Sequence, residues 1–247
     1  MITLANNFSG LLVRFLSSLV LLLSPSLRNQ FDCIKKTVAK SRNRKKEIPN
    51  QLTTALITIE DRRFYQHKGV DICSIARAIA KNITTKRLEG ASTIGQQLIR
   101  NITGEREIKL RRKIKEIFFA TLLDKQFSKS EILFAYFDTY RFKACIGIFA
   151  FCEKENYNLR NLSITETAEI SARFKYPTLC TTNYIKYLKR VRTIERKITL
   201  KIALTGNGQS VQNKCLINAP IQLETPNNFA FAKQRALSVR SIARVKT

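Results

Sequence analysis

The sequence predicts an all-α protein built around one helical domain. Its 247 residues include only 8 Gly and 5 Pro, fewer turn-forming residues than a β-sandwich requires. Apolar residues make up 44% of the chain, which is enough for a packed core and excludes wholesale disorder. Apolar residues also recur at helical spacing in several segments, so helices are the expected elements.

The chain is predicted to divide into four regions. Residues 1–27 are a hydrophobic anchor or signal, 28–49 a basic linker, 50–204 the helical domain, and 205–247 a tail whose order the sequence leaves open. No internal repeat is visible. The organisation is therefore one domain between two flanking segments.

The hydrophobic N-terminal region has three interpretations. Its apolar stretch is about 20 residues long, enough to span a bilayer, although Arg14 interrupts it. Ser24 and Ser26 supply the small residues of a signal-peptide cleavage site. We expect a membrane anchor, with a cleaved signal or a buried or peripheral helix as alternatives. The cations concentrated in residues 28–46 favour a cytoplasmic location for the helical domain, although long domains translocate against such a bias.

The helices of the central domain are predicted from start signals and apolar faces. Asn50 is the predicted N-cap of the first helix. Its apolar face consists of Leu52, Ala55, Leu56 and Ile59. Capping boxes predict three further helix starts, at residues 93–96, 128–131 and 163–166. A basic helix over residues 184–204 ends the domain.

One more helix, of roughly 15 residues, is predicted between the first two capping boxes. Its apolar stripe consists of Ile114, Ile117, Phe118, Thr121 and Leu122. Glu116 lies opposite this stripe by helical spacing, on the same face as Arg112 and Lys113. The expected arrangement is therefore a charged outer face and an apolar inner one.

The charge balance indicates an anionic partner. Lys and Arg total 44 against 18 Asp and Glu, a net charge of +26. Nucleic acid, a membrane surface and a phosphorylated substrate all fit such an excess. Nucleic acid is disfavoured because the charge is spread along the chain without a recognised binding motif. Six Cys without a CxxC pattern and a single His indicate neither a zinc site nor a disulfide framework.

Four local patterns carry the chemistry. They read EDRRFYQHKGVD from Glu60, GASTIGQQLIRN from Gly90, RKIKE from Arg112 and SKSEILFAYFD from Ser128. Glu60 borders the apolar stripe of its helix, where a carboxylate gains the proton affinity that a general base needs. A surface carboxylate paired with a neighbouring Arg is the alternative. His67 is predicted to be structural.

The second and third patterns suit an anion. Arg112 and Lys113 form a cationic wall that suits a diphosphate, with Glu116 orienting the cations; a solvated Arg–Glu pair is the alternative. The second pattern places many donors on one short helix behind Gly90, either for anion binding or as ordinary surface groups. These donors are Ser92, Gln96, Gln97, Arg100 and Asn101.

Taken together, the four patterns resemble the peptidoglycan glycosyltransferase domain, glycosyltransferase family 51, of penicillin-binding proteins and monofunctional transglycosylases. The resemblance covers about residues 50–180 and rests on motifs in the same order. It implies a lysozyme-like fold with a cleft beside the membrane. It also implies polymerisation of lipid II into glycan strands, with inversion and release of undecaprenyl diphosphate.

The resemblance also assigns roles to residues. It implies that Glu60 is the catalytic base and that Glu116 is a second catalytic carboxylate. It implies that the substrate-binding residues are Asp61, Ser92, Gln96, Gln97, Arg100, Asn101, Arg112 and Lys113. A divalent cation, Mg or Mn, assists some members of the family, but no ligand set in this sequence establishes one.

The implied partners are lipid II, undecaprenyl-diphosphate-linked glycan, the membrane surface and other cell-wall synthesis proteins. The implied location is the bacterial cytoplasmic membrane, with the catalytic domain on its outer, periplasmic face. The absence of S-x-x-K and K-T-G motifs predicts an enzyme without transpeptidase activity.

The sequence departs from the family pattern in its second half. Phe134 stands where the family has Glu, and Asp138 where it has Asn. The next, glycine-rich segment is altered over residues 142–148, and Lys175 and Pro177 remain of a late motif. An inactive homologue that binds lipid II or a cell-wall partner is therefore an alternative. Glycan hydrolysis and nucleic-acid binding are further alternatives.

Overall fold

A computed structural model describes most of the helical domain and part of the N-terminal region. The described residues are 13–19, 22, 24–44, 46–85, 90–105, 107, 110–142 and 145–205. The predicted tail lies outside them from residue 206 onward, and so does much of the predicted segment 1–27. No helix among the described residues is long and apolar enough to cross a bilayer, so the structure does not show the predicted membrane segment.

The described chain is mostly helical, as predicted. The first helix, α1, is described over residues 13–19. The others are α2 (Pro25–Arg42), α3 (Asn50–Glu60), α4 (Ile72–Thr85), α5 (Ile94–Thr103), α6 (Leu110–Gln126), α7 (Lys129–Thr139), α8 (Ile148–Lys154), α9 (Ile164–Arg173) and α10 (Thr181–Thr205). Two short antiparallel strands, β1 (Arg141–Phe142) and β2 (Cys145–Ile146), form a hairpin between α7 and α8.

The helix starts follow the capping signals, with two differences. Ser128 and Ser163 form complete capping boxes with Glu131 and Glu166. Thr93 accepts a hydrogen bond from the backbone N–H of Gln96, but the Gln96 side chain turns away to another partner. At α3 the predicted N-cap Asn50 is instead the first helical residue, because the carbonyl of Pro49 accepts the first backbone hydrogen bonds.

Residues 28–49 differ from the predicted basic linker. Most of them belong to α2, which buries Phe31, Ile34 and Val38 in the main core. The cations lie on the other faces of the helix, so the charge pattern concealed an amphipathic element. The helical domain therefore begins well before residue 50.

Two apolar clusters meet at α3 and position its C-terminal end. The main cluster packs Leu52 and Leu56 against α5, α6 and α7, including Phe119 and Tyr136. The second cluster packs Ala55 of α3 against side chains of α9 and α10. Because α3 is buried on both sides, its last residue is held at the junction of these helices.

Candidate active site

Glu60, the last residue of α3, has both carboxylate oxygens engaged by neighbouring side chains. Its Oε2 accepts a hydrogen bond from the Gln97 amide nitrogen at 3.2 Å, and its Oε1 pairs with the Arg190 guanidinium. The Gln97 amide oxygen in turn accepts from the Tyr136 hydroxyl at 2.9 Å. Burial holds the pKa of Tyr136 well above its ordinary value, so the hydroxyl remains a donor. The Glu60 side chain is still 19% exposed, so a ligand can reach it.

Arg190 was not identified from the sequence. It lies on α10, 130 residues from Glu60, next to the buried side chains of Tyr187, Val191 and Ile194. This apolar spacing places Arg190 at the edge of the buried face of α10. This spacing could have indicated that Arg190 lies beside the core, but it does not indicate that its partner is Glu60 at the end of α3.

Glu116 is buried and surrounded by three cations. Arg100 donates to both of its oxygens, at 2.9 and 3.0 Å, from the neighbouring helix α5. Arg112 pairs with it from one turn earlier on α6, and the Lys113 Nζ lies 3.5 Å away. Three cations around one carboxylate leave a local excess of positive charge, as expected for a site that binds an anion.

Glu116 was predicted to lie opposite the apolar stripe of α6, but it is buried. Thr121 and Leu122 of that stripe are buried as predicted, whereas Ile114 is 44% exposed, and Phe119 and Leu123 are buried on the same side as Glu116. A carboxylate can occupy the buried face because the three cations compensate its charge. The decisive partner, Arg100, is on another helix and leaves no trace in the spacing of α6.

The cations of this cluster have different environments. The hydrogen bond to Glu116 raises the pKa of Arg100, which fixes that guanidinium as a cation. Burial lowers the pKa of Lys113, and Glu116 opposes that effect. The Lys113 Nζ also donates to the Ser92 hydroxyl at 2.8 Å and to the Gln96 amide oxygen at 2.5 Å. Lys113 therefore joins the start of the second motif to the third.

Helix α5 connects Glu60 to the cation cluster. Gln97 contacts Glu60, and Arg100, three residues later, contacts Glu116. Side chains three residues apart on a helix are neighbours, with Cβ atoms about 5–6 Å apart. The arrangement therefore places a carboxylate that a ligand can reach beside a group of cations.

Asp61 and Asn101 are placed differently from the other predicted binding residues. Asp61 is buried, and its carboxylate accepts hydrogen bonds from the His67 Nε2 at 3.0 Å and from the Ile94 backbone N–H at 3.0 Å. It thereby joins the first motif to the start of α5, and His67 has the structural role predicted for it. The Asn101 Nδ2 is buried without a hydrogen-bond partner among the described residues, and so is the Gln96 Nε2.

The turn between α3 and α4 packs closely against the start of α5 and against α6. The Thr93 hydroxyl donates to the Gly69 carbonyl at 2.8 Å. Gly69 has a φ of +85°, and a Cβ there would lie 2.5 Å from the Ala120 carbonyl oxygen. Only glycine fits this backbone conformation and this close approach. The first motif is thus fastened to both α5 and α6.

The departures from the family pattern have local explanations. Asp138 is buried and accepts a hydrogen bond from the Ser41 hydroxyl at 2.8 Å, and it pairs with Arg44 at 2.6 Å. The aromatic ring of Phe134 contacts that of Phe149 at 6.0 Å between centroids. Gly147 has a φ of +85°, and a Cβ there would lie 2.7 Å from the Asp138 carbonyl oxygen. The altered segment thus keeps a glycine where the backbone requires one.

A resident divalent cation does not fit the described side chains. Over the part of the chain that the structure describes, no group of three His, Cys, Asp or Glu could hold a metal ion. Glu116, a predicted catalytic carboxylate, is already bound by cations.

Comparisons with known proteins point to one family. The sequence model of the transglycosylase family matches residues 29–201. Penicillin-binding protein 1A of Clostridium botulinum is 34% identical over 208 residues, which are 78% of this chain and 24% of that protein. Monofunctional glycosyltransferase of Staphylococcus epidermidis is 32% identical over 157 residues, 59% of this chain and 58% of the relative. Penicillin-binding protein 1A of Rickettsia typhi is 36% identical over 137 residues, 53% of this chain and 18% of the relative. The chain thus spans less than a quarter of the penicillin-binding proteins and just over half of the monofunctional relative.

Proposed function

We propose that this chain, which belongs to the transglycosylase family, is a peptidoglycan glycosyltransferase that polymerises lipid II into glycan strands. The observation that carries the proposal is that α5 brings two unlike sites next to each other. Gln97 of α5 contacts the reachable carboxylate of Glu60, and Arg100, three residues later, belongs to the cations gathered by Glu116. This is the arrangement that a reaction between a hydroxyl and a glycosyl diphosphate requires.

The reaction follows from the two sites. Glu60 removes the proton of the acceptor's 4-hydroxyl, and the hydroxyl oxygen attacks the anomeric carbon of the donor with inversion. The bond from that carbon to the diphosphate oxygen breaks, and the electron pair leaves with undecaprenyl diphosphate. Arg100, Arg112 and Lys113 stabilise the charge that develops on the leaving group, so no strong general acid is required.

Glu60 retains the capacity to accept this proton. A carboxylate has about four lone-pair sites, and Gln97 and Arg190 each engage one oxygen. The remaining sites are available to a hydroxyl that enters the cleft. The two side chains fix the direction in which the carboxylate faces, which favours a reactive geometry.

Glu116 acts differently from the base in this proposal. Its side chain is 1% exposed and bound by three cations, so it positions them instead of contacting the sugar. Asp61 likewise supports the site without facing it, because its carboxylate accepts hydrogen bonds from His67 and from the backbone at the start of α5. The family resemblance implied catalysis for Glu116 and substrate binding for Asp61, and we propose positioning roles for both.

We also propose that the domain works against the outer face of the cytoplasmic membrane. The net charge of +26 suits an anionic lipid surface. Helix α4 exposes Ile79 and Ile83, at 54% and 74%. Such exposed apolar groups fit a substrate that is itself embedded in lipid. Other cell-wall synthesis proteins are proposed as partners on the family resemblance alone.

Lipid II polymerisation by the purified full chain tests the proposed function. The wild type is compared with Glu60→Gln and with Glu153→Gln, a control at an exposed acidic residue of α8. Wild type and control should form glycan strands. Glu60→Gln should be slower by a factor of about 10²–10⁴, as expected for loss of a general base.

Three outcomes would contradict the proposal. Strand formation by Glu60→Gln at the wild-type rate would show that the base is elsewhere. Folded wild-type protein that binds lipid II and forms no strands would identify an inactive binding homologue. Release of sugars from finished glycan would instead indicate a hydrolase.

A further inference from the structure

A cavity of about 770 Å³ lies along α6, on the side that faces α1 and the start of α2. We call it the α6 groove; it is lined along α6 from Arg111 to Leu122 and by Leu27 of α2. At a rise of 1.5 Å per residue, this stretch of α6 is about 16 Å long. The volume lies within the range of about 300–1,000 Å³ that is typical of ligand sites. The groove is thus elongated and large enough for a ligand.

The two ends of the α6 groove differ in polarity. Arg111, Arg112 and Lys115 line the end near the start of α6. Phe118, Phe119 and Leu122 line the other end. A ligand that matches the groove has an anionic head and a linear apolar body.

The acidic and polar groups of the groove are consistent with such a ligand. Glu105 and Glu107 also line the cationic end, and Glu105 is paired with Lys115. Arg111 is exposed and makes no ion pair with a described residue. The Ser17 hydroxyl donates to the Val13 carbonyl at 2.6 Å, and the Ser24 hydroxyl caps α2. The Ser17 hydroxyl is therefore satisfied within the protein, so an apolar chain can lie against it.

The groove and the proposed active site share Arg112. This side chain lines the cationic end of the groove and also pairs with the buried Glu116. In a polyprenyl-linked donor, the hydrocarbon chain is attached directly to the diphosphate. A diphosphate held by the cation cluster therefore places the first carbons of its chain at the mouth of the groove.

We infer that the α6 groove binds the first isoprene units of the donor's polyprenyl chain while the cation cluster holds its diphosphate. The inference rests on the proposed function, because that function supplies the diphosphate. The groove would make the affinity for a donor depend on its lipid as well as on its sugar. It would also direct the chain along α6 toward α1.

A tryptophan reporter tests occupancy of the groove. The chain has no Trp, so Ser26→Trp places a single fluorophore at the groove wall of the full-length protein. The probes are inorganic diphosphate, geranyl diphosphate and farnesyl diphosphate, at fixed ionic strength. Farnesyl diphosphate should bind at least about tenfold more tightly than inorganic diphosphate, with geranyl diphosphate between them. Only the prenyl probes should shift the Trp emission to shorter wavelength.

Two matched substitutions assign the effect to the groove. Ile114 lines it, whereas Leu110, one turn earlier on α6, is 77% exposed and does not. Ile114→Ser in the reporter background should weaken farnesyl diphosphate about three- to tenfold and leave inorganic diphosphate unchanged. Leu110→Ser should change neither. Circular dichroism and thermal melting establish that each variant is folded.

Three results would overturn the inference. Equal affinities for farnesyl and inorganic diphosphate would show that the prenyl chain of the ligand does not contact the protein. Equal effects of Ile114→Ser and Leu110→Ser would show that the prenyl chain binds outside the α6 groove. Displacement of farnesyl diphosphate by an equal concentration of dioleoyl phosphatidate would identify a general lipid site.

The polymerisation assay separates this inference from the proposed function. Glycan strands without a chain-length effect would remove the groove assignment and leave the enzyme intact. A chain-length effect without glycan strands would do the opposite, because prenyl diphosphate binding does not require turnover.

Discussion

Glu60 and Glu116 belong to motifs that the sequence marks in the same way, yet the structure gives them opposite surroundings. Glu60 ends a helix, is partly exposed, and is bound by one cation and one amide. Glu116 is buried in the middle of α6 and bound by three cations. A carboxylate that exchanges protons with a substrate must be reachable and keep free lone pairs. A carboxylate that organises cations does so best away from water, where charge–charge attraction is stronger.

Of the substitutions that test this comparison, replacing Glu116 should lower the stability of the protein the most. Glu116→Gln leaves three cations together without their counter-charge, so we expect a loss of about 3 kcal/mol in stability. For a chain of this size, that loss lowers Tm by about 6–12 °C. Glycan formation should be lost as well, because the cations are no longer held in place.

The matching variant is Glu60→Gln, compared by thermal melting under the same conditions. It should melt within about 2 °C of the wild type, because Glu60 is partly exposed and its partners can turn to solvent. An unchanged Tm for Glu116→Gln would contradict the organising role. A large loss of stability in Glu60→Gln would remove the distinction between the two carboxylates.

Replacing Arg190 tests whether the base is positioned by α10. Arg190→Gln leaves Glu60 held only by Gln97, so its carboxylate can rotate away from the acceptor hydroxyl. We expect kcat for lipid II polymerisation to fall about 10- to 100-fold with little change in KM. Arg190→Lys should retain part of the lost kcat. Added guanidinium should likewise restore part of kcat to a variant in which the Arg190 side chain is truncated.

The control for this prediction is Arg192→Gln, at an exposed residue of the same helix. It removes the same charge from α10 and should leave kcat unchanged. A rate increase in Arg190→Gln would mean that the ion pair restrains the base. Equal effects of the two variants would point to the overall charge of α10.

Local signals in the sequence predicted much of the scaffold. Ser128 and Ser163 start their helices with the predicted capping boxes, because each box involves residues only three apart. The predicted apolar face of α3 is likewise confirmed, since Leu52, Ala55 and Leu56 are buried. These features depend on contacts within one turn of helix, which a sequence displays directly.

The features that the sequence did not reveal depend on distant partners. Arg100 of α5 compensates the charge of the buried Glu116 on α6, and Arg190 of α10 pairs with Glu60 130 residues away in the chain. Helix α2 was mistaken for a linker because its cations hide the buried positions Phe31, Ile34 and Val38. In each case the deciding contact is made by another helix, which no local pattern identifies.

Asp138 provides the intermediate case, with the smallest expected effect. It is buried like Glu116, but its cation, Arg44, is half exposed, and its second partner is the neutral Ser41. Asp138→Asn restores the residue that the family pattern has at this position. It should lower stability by about 1 kcal/mol or less, because Arg44 can return to water while Asn still accepts from Ser41. Polymerisation activity should stay at the wild-type level.

A double-mutant cycle with Arg44→Gln shows whether the ion pair accounts for this cost. Thermal melting of both single variants and the double variant gives the coupling between the two residues. The double variant should lose no more stability than Asp138→Asn alone, because the pair is already broken there. Additive losses would show that Arg44 and Asp138 contribute independently. Asp138 would then resemble Glu116, as a buried carboxylate whose contribution to stability does not depend on one exposed cation.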